Sequence, residues 1–176
     1  MSGRKFHILI KSLGDYSEIG IHPSYAAAND LKKLSEETAR LSRILNKEIT
    51  KSRQHFIKLK LPFSYHNLIN MDIQEDYSMG FPDQPGFRAG VCTPFNFYDL
   101  ELENPTPLII HPFTVMDGSL KDYLKLNNKD SLSLLLQLVD EVKAVGGEFI
   151  SLWHNESLGG EGRWKGWKEK IGRAHV

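Results

Sequence analysis

Short apolar runs alternate with helix-periodic stretches along this chain, and that alternation restricts the folds open to it. The clearest helical signal spans residues 26–46, where Leu31, Leu34, Thr38, Leu41 and Leu45 recur at steps of three and four and so share one face. Glu36, Glu37, Arg40 and Arg43 fall mostly off that stripe, as a solvated face requires, and Asn46 is a stop signal. Ser24 is placed to cap this helix. A longer helix is predicted over 131–145, ended by Gly146 and Gly147. A short one is predicted over 62–70 with proline in its first turn, and another starts at 119–123. Strands are predicted at 18–22, 73–77, 95–102, 108–113 and 148–153. Residues 6–13 are apolar but of ambiguous type, and residues 49–61, which pass through an Arg-Gln-His patch, are unclear in type. Residues 79–93 are rich in Gly and Pro and read as a loop, with a small extended piece at Phe87 and Arg88. Strands alternating with helices favour a parallel α/β architecture, in which chemistry collects at the carboxyl ends of strands.

Composition excludes several classes. A chain of 176 residues predicts one domain with one sizeable core. Lys+Arg and Asp+Glu balance at 22 each, which argues against nucleic acid or an anionic membrane as partner. No run approaches a membrane span in length, so none is expected. The apolar run near the N-terminus is broken by Lys11, too early for a secretion signal. Cys92 is the sole cysteine, so no internal disulfide can form; a reducing compartment and a cytoplasmic location are expected.

Four polar patches interrupt the apolar runs: Ile-Gly-Ile-His-Pro-Ser-Tyr at 19–25, Ser-Arg-Gln-His-Phe at 52–56, Asp-Tyr-Ser-Met-Gly-Phe leading to Gly-Phe-Arg-Ala-Gly at 76–90, and Leu-Trp-His-Asn at 152–155. His22, between a predicted strand and Pro23, reads as a metal ligand through neutral imidazole or as a turn histidine bonded to backbone. Ala26 stands four residues on, so no HxxxH pair accompanies it. Arg53 and His55 would share a strand face, where Arg53 can hold an anion or orient a carboxylate and His55 can bind metal or move a proton; a surface basic pair is the plainer reading. Asp76 and Arg88 flank the loop and are candidates to pair across it. His154 follows a strand, as a general acid would, and Trp153 packs on the core or on a sugar ring. Phe81, Phe87, Phe95 and Phe97 read as packing, and His7, His66, His111 and His175 have no comparable setting. There is no phosphate-cradling or dinucleotide fingerprint, and no nucleophile elbow of a hydrolase.

Taken in order, the patches resemble the polysaccharide deacetylase (NodB-homology) superfamily, and more specifically the divergent deacetylase-like proteins of bacterial polysaccharide gene clusters. The resemblance covers roughly residues 6–155. It implies a distorted (β/α) barrel, here a partial one, and metal-dependent removal of acetyl groups from a sugar or polysaccharide, with a divalent ion, zinc foremost. By this resemblance His22 is a metal ligand, Arg53 orients a catalytic carboxylate, Asp76 lies in the fourth motif, and His154 is the general acid. His55 is inferred as the second metal ligand, since the usual second-motif partner is absent. Ser24, Arg88 and Trp153 are expected on the substrate side. The first motif, with its paired aspartates, has no counterpart among the residues before His22, so the chain is expected to be the later part of such a domain and to be weakly active or inactive alone. A non-catalytic carbohydrate-binding or scaffold module is the alternative. Residues 156–176 are expected to pack poorly, and residues 171–176, Ile-Gly-Arg-Ala-His-Val, match a translated sequencing adaptor and are expected to be non-native.

Overall fold

The structure is a computed structural model that describes residues 3–159 and 161–168. Residues 171–176 lie outside the described residues. The chain forms two compact units: Met1–Ser78 with Phe95–Ile110, and Met79–Pro94 with His111–Val176.

The first unit opens with helix α1, Gly3–Tyr16, over a stretch whose type the sequence left ambiguous. The strand predicted at 18–22 reduces to a single parallel bridge between Ile21 and Ser52, because Pro23 lacks the N–H that a longer ladder needs. The helix predicted over 26–46 is split. A turn at Tyr25–Asn29 precedes α2, Leu31–Leu45, and Asp30 between them is extended, its carboxylate accepting from the Lys33 N–H at 3.0 Å. An Asp side chain competes with helical continuation and so serves as the N-cap here. Ser24 makes no cap hydrogen bond; its N–H and Oγ donate to the Glu37 carboxylate at 2.8 and 2.6 Å. Asn46 ends α2 in the left-handed conformation, and Leu34 is the stripe residue that is fully buried.

Strand β1, Lys51–Ser52, pairs in parallel with β2, Glu75–Asp76, after helix α3, Phe63–Ile69. The two strand candidates between 95 and 113 form an antiparallel hairpin, β3 at Phe95–Asp99 and β4 at Asn104–Ile110. Strand β4 lies parallel to β2, giving the order β1-β2-β4-β3. The expected all-parallel pattern is therefore corrected to a mixed sheet, because a turn as short as the one after Asp99 can only return the chain antiparallel. Tyr65, Leu68, Ile73, Leu108 and Ile110 are buried in this unit.

The second unit holds a two-stranded parallel sheet, β5 at Val115–Met116 and β6 at Ser151–Leu152. Among the described residues neither sheet closes on itself. Helix α4, Asn128–Ala144, starts earlier than predicted, because Asn127 accepts from the N–H groups of Lys129 and Asp130 at 2.9 and 3.0 Å. Ser119–Tyr123 is a π-helical turn. Phe87 and Arg88 form no strand; Gly86 donates its N–H to Thr114 O at 2.8 Å instead, within an irregular loop. Val115, Leu120, Leu135 and Leu138 pack with Trp164 and Trp167, and Trp153 lies against them. Loose packing was expected after residue 155, yet Trp164 and Trp167 are buried. Burying two indoles is a large apolar gain set against the entropy of ordering this segment.

Candidate metal and acid–base sites

In the first unit the site groups follow the carboxyl ends of neighbouring parallel segments. His22 follows Ile21, Arg53 follows β1, and Tyr77 and Ser78 follow β2. Strand β1 stops at Ser52, so Arg53 and His55 do not share a strand face as expected. His55 begins a tight turn to Ile57. That turn brings His55 Nδ1 within 2.9 Å of His22 Nε2, with ring centroids 4.8 Å apart. His22 Nδ1 lies 2.9 Å from the Arg53 carbonyl oxygen. A carbonyl only accepts, so Nδ1 carries the proton and Nε2 the lone pair. Histidines that ligate metals fix their tautomer in this manner. The 2.9 Å contact is then a hydrogen bond donated by His55 Nδ1–H to His22 Nε2, and the pair fits one divalent ion as two imidazole ligands once the His55 proton moves to Nε2. Among the described residues no third His, Cys, Asp or Glu completes a group with this pair.

Beneath the turn lies a closed polar network. Asp76 is fully buried and accepts from Ser78 N–H at 2.9 Å and Ser78 Oγ–H at 2.8 Å. Ser78 Oγ accepts from the Gln54 N–H at 2.8 Å, and Gln54 Nε2 donates to Ser52 Oγ at 3.0 Å. Burial pushes the Asp76 carboxyl up to about 6, against the hydrogen bonds of Ser78 and the charge of Arg53. Asp76 therefore grips the backbone between Arg53 and His55. Burial also lowers the Arg53 guanidinium, opposed by Asp76, and Arg53 Nε donates to Tyr77 O at 3.2 Å. Arg88, in the second unit, donates to Gly80 O at 3.1 Å.

A second group in this unit was not legible from spacing. His66 on α3 meets Asp99 at 2.5 Å, and Asp99 also accepts from the N–H groups of Glu101 and Leu102 at 2.9 and 3.2 Å. Ligand atoms of His66, Asp99 and Glu101 lie within 4.8 Å of one another, so the three could hold a metal ion. Asp99 is already engaged in closing the β3–β4 turn.

In the second unit His154 follows β6, two residues on, and Asp117 follows β5 directly. His154 Nδ1 lies 2.7 Å from Asp117 Oδ1, and the His154 N–H donates to Asp117 Oδ2 at 2.8 Å. Ser157 Oγ donates to His154 O at 2.7 Å. Asp117 is buried, while the His154 side chain is 53% exposed. Burial raises the Asp117 carboxyl, but hydrogen bonds from His154 and Ser157 together outweigh it and leave it below the ordinary range. The arrangement fixes the Nδ1–H tautomer and makes Nε2 the basic nitrogen. Asp117 was missed in the sequence, although it ends an apolar pair just as His22 and His154 do. Trp153 Nε1 donates to Ser151 Oγ at 2.8 Å, and its half-buried ring lies 6.4 Å from that of the buried Trp167.

The geometry defines a mixed α/β fold with a partly parallel sheet and site groups at strand ends. No family model and no curated protein matches the sequence. A solved structure does share the fold: "Crystal structure of putative polysaccharide deacetylase from Mycobacterium smegmatis" matches with a TM-score of 0.66 at 14% identity, over 98% of this chain. The match takes in 62% of that protein, so the chain spans about three fifths of its length. The likeness at this identity is one of fold. No helix among the described residues is long and apolar enough to cross a membrane.

Proposed function

We propose that this chain belongs to a cytoplasmic, metal-dependent carbohydrate deacetylase domain of the distorted (β/α)-barrel type, acting on acetyl groups of a sugar or polysaccharide. The observation that carries this reading is the approach of His22 Nε2 to His55 Nδ1 at 2.9 Å, with the other nitrogen of His22 held by a backbone carbonyl. His22 and His55 would hold a divalent ion, and imidazole donors favour zinc. Such an ion, when bound, polarises an acyl carbonyl and activates water. Asp76 acts through Ser78 and Gln54 as a positioning residue for His55, and Arg53 orients an acidic partner. His154, its Nδ1–H held by Asp117, would take up a proton at Nε2 as the attacking water loses one and return it from there to the departing amine or alcohol. Ser24, Arg88 and Trp153 are assigned to the substrate side.

Titration with zinc or cobalt tests the metal centre. One ion is expected to bind, with affinity lost in His22→Ala and in His55→Ala; unaltered binding in both variants overturns the assignment. Only Asp15 precedes His22 among aspartates, so no aspartate pair stands where the first motif would. Acetate release from acetylated sugar oligomers by this chain is therefore expected to be slight, and robust turnover would refute that. The lack of a third ligand beside the pair among the described residues favours a second reading, a non-catalytic carbohydrate-binding module. Absence of metal binding together with retained sugar binding selects it.

A further inference from the structure

Resting on the reading of the chain as a sugar-directed domain, we infer that Tyr25 and Phe56 form a stacking platform beside the His22–His55 pair that seats a pyranose ring of the substrate. The backbone is the first sign. Phe56 has φ 54° and ψ 20°, and Ile57 has φ 53°. Two successive non-glycine residues in the left-handed region, one of them β-branched, are costly and persist only where the surroundings impose them. The surroundings do so here. Gln54 is anchored by Ser78 Oγ, Ile57 donates its N–H to Gln54 O at 3.0 Å, and Lys58 donates to His55 O at 3.2 Å. The outcome is that Ile57 is buried while Phe56 is 75% exposed.

The exposed ring is not isolated. Tyr25, 58% exposed, meets Phe56 edge to face with centroids 5.8 Å apart. Phe56 lies 4.6 Å from the His55 ring, and His55 lies 4.8 Å from that of His22. Lys58 Nζ sits 4.2 Å from the centre of the Tyr25 ring, adding a donor at the edge of the patch. Aromatic surface held rigidly in water beside a polar site marks a place for a ligand with an apolar face and a polar rim. A pyranose has that shape: its C–H face covers an aromatic ring, and its hydroxyls meet the Tyr25 hydroxyl, the Lys58 ammonium and water. The platform would hold the sugar ring so that a substituent on it, or on its neighbour, reaches the histidine pair.

The test uses the full chain with a chelator present, so that neither metal binding nor turnover enters the readout. Binding of penta-N-acetylchitopentaose and of cellopentaose is measured by calorimetry and by saturation-transfer NMR. Both sugars are expected to bind, because stacking reads the ring and not the acetyl group. Phe56→Ala is expected to weaken both about tenfold and Phe56→Trp to stay within about twofold, with Tyr25→Ala between them. Both positions are exposed, and circular dichroism verifies that each variant folds. Equal affinity for wild type and Phe56→Ala overturns the proposal, as does a wild type that binds neither sugar. Loss of self-association in Phe56→Ala without any sugar binding assigns the patch to a protein contact instead, and also overturns it. Sugar binding that depends on Phe56, in a chain that takes up no metal, sustains the platform and removes the deacetylase reading.

Discussion

Replacing Asp76 by asparagine changes how stability responds to pH, and the size of the change follows from burial. The carboxyl is enclosed, and desolvation lifts it from an ordinary 3.8 to about 6 despite Ser78 and Arg53. Below pH 3.8 the carboxyl is protonated in both folded and unfolded chains. Between 3.8 and about 6 the unfolded chain ionises first while the folded one keeps its proton, so unfolding releases a proton and stability falls as pH rises. A shift of about two units corresponds to roughly 3 kcal/mol, all lost by the time pH has passed the folded value. The Asp76→Asn variant has no such ionisation, yet its amide oxygen still accepts from the Ser78 N–H. The difference between Asp76→Asn and wild type is therefore expected to move in favour of the variant by roughly 3 kcal/mol from about pH 3.5 to pH 7. Urea unfolding at several pH values, followed through the amide NMR signals of Tyr77 and Ser78, measures it. Parallel stability curves for the two proteins would refute the desolvation argument, whatever their offset.

Three further outcomes are expected. A Cβ at Gly80 would lie 2.3 Å from ring carbons of the buried Phe113, so Gly80→Ala costs about 1–3 kcal/mol by thermal unfolding and Phe113→Leu recovers part of it; an unchanged midpoint contradicts the packing. Asp117→Asn presents an amide to His154 Nδ1 and shifts the imidazole toward the Nε2–H tautomer, seen in its ¹⁵N chemical shifts, with a stability loss of about 1–3 kcal/mol; unchanged ring shifts refute the orienting role. Asn127→Ala removes the cap of α4 and lowers stability by about 1 kcal/mol, whereas Asn127→Asp stays close to wild type; equal loss in both removes the capping explanation.

Periodicity served well where a helix packs one face. The stripe from Leu34 to Leu45 and the stop at Asn46 were readable because a helical repeat survives in sequence. The break at Asp30 was not, since a single polar side chain settled it by capping the following turn. The strands expected at 73–77 and 148–153 were overestimated in length, since β2 and β6 are two residues each, and β1 and β5 went unread, because two residues are too few for alternation to declare itself. His22 and His154 stood out because each follows a short apolar run. Acidic partners did not, because Asp117 lies 37 residues from His154 and Asp99 lies 33 from His66. The bond from Ser78 to Gln54 crosses 24 residues and depends on strand register, which no local pattern encodes. The left-handed turn at Phe56 was likewise invisible, since neither Phe nor Ile announces that conformation.

The tryptophan cluster has an optical consequence. All three tryptophans of the chain, Trp153, Trp164 and Trp167, belong to the second unit, with Trp164 and Trp153 centred 5.1 and 6.4 Å from Trp167. Rings this close exchange excitation and emit as one chromophore, so ultraviolet emission from this protein is a local signal. It reports the surroundings of α4 and β6, so a melting curve recorded by that emission follows the loss of order in the core of the second unit.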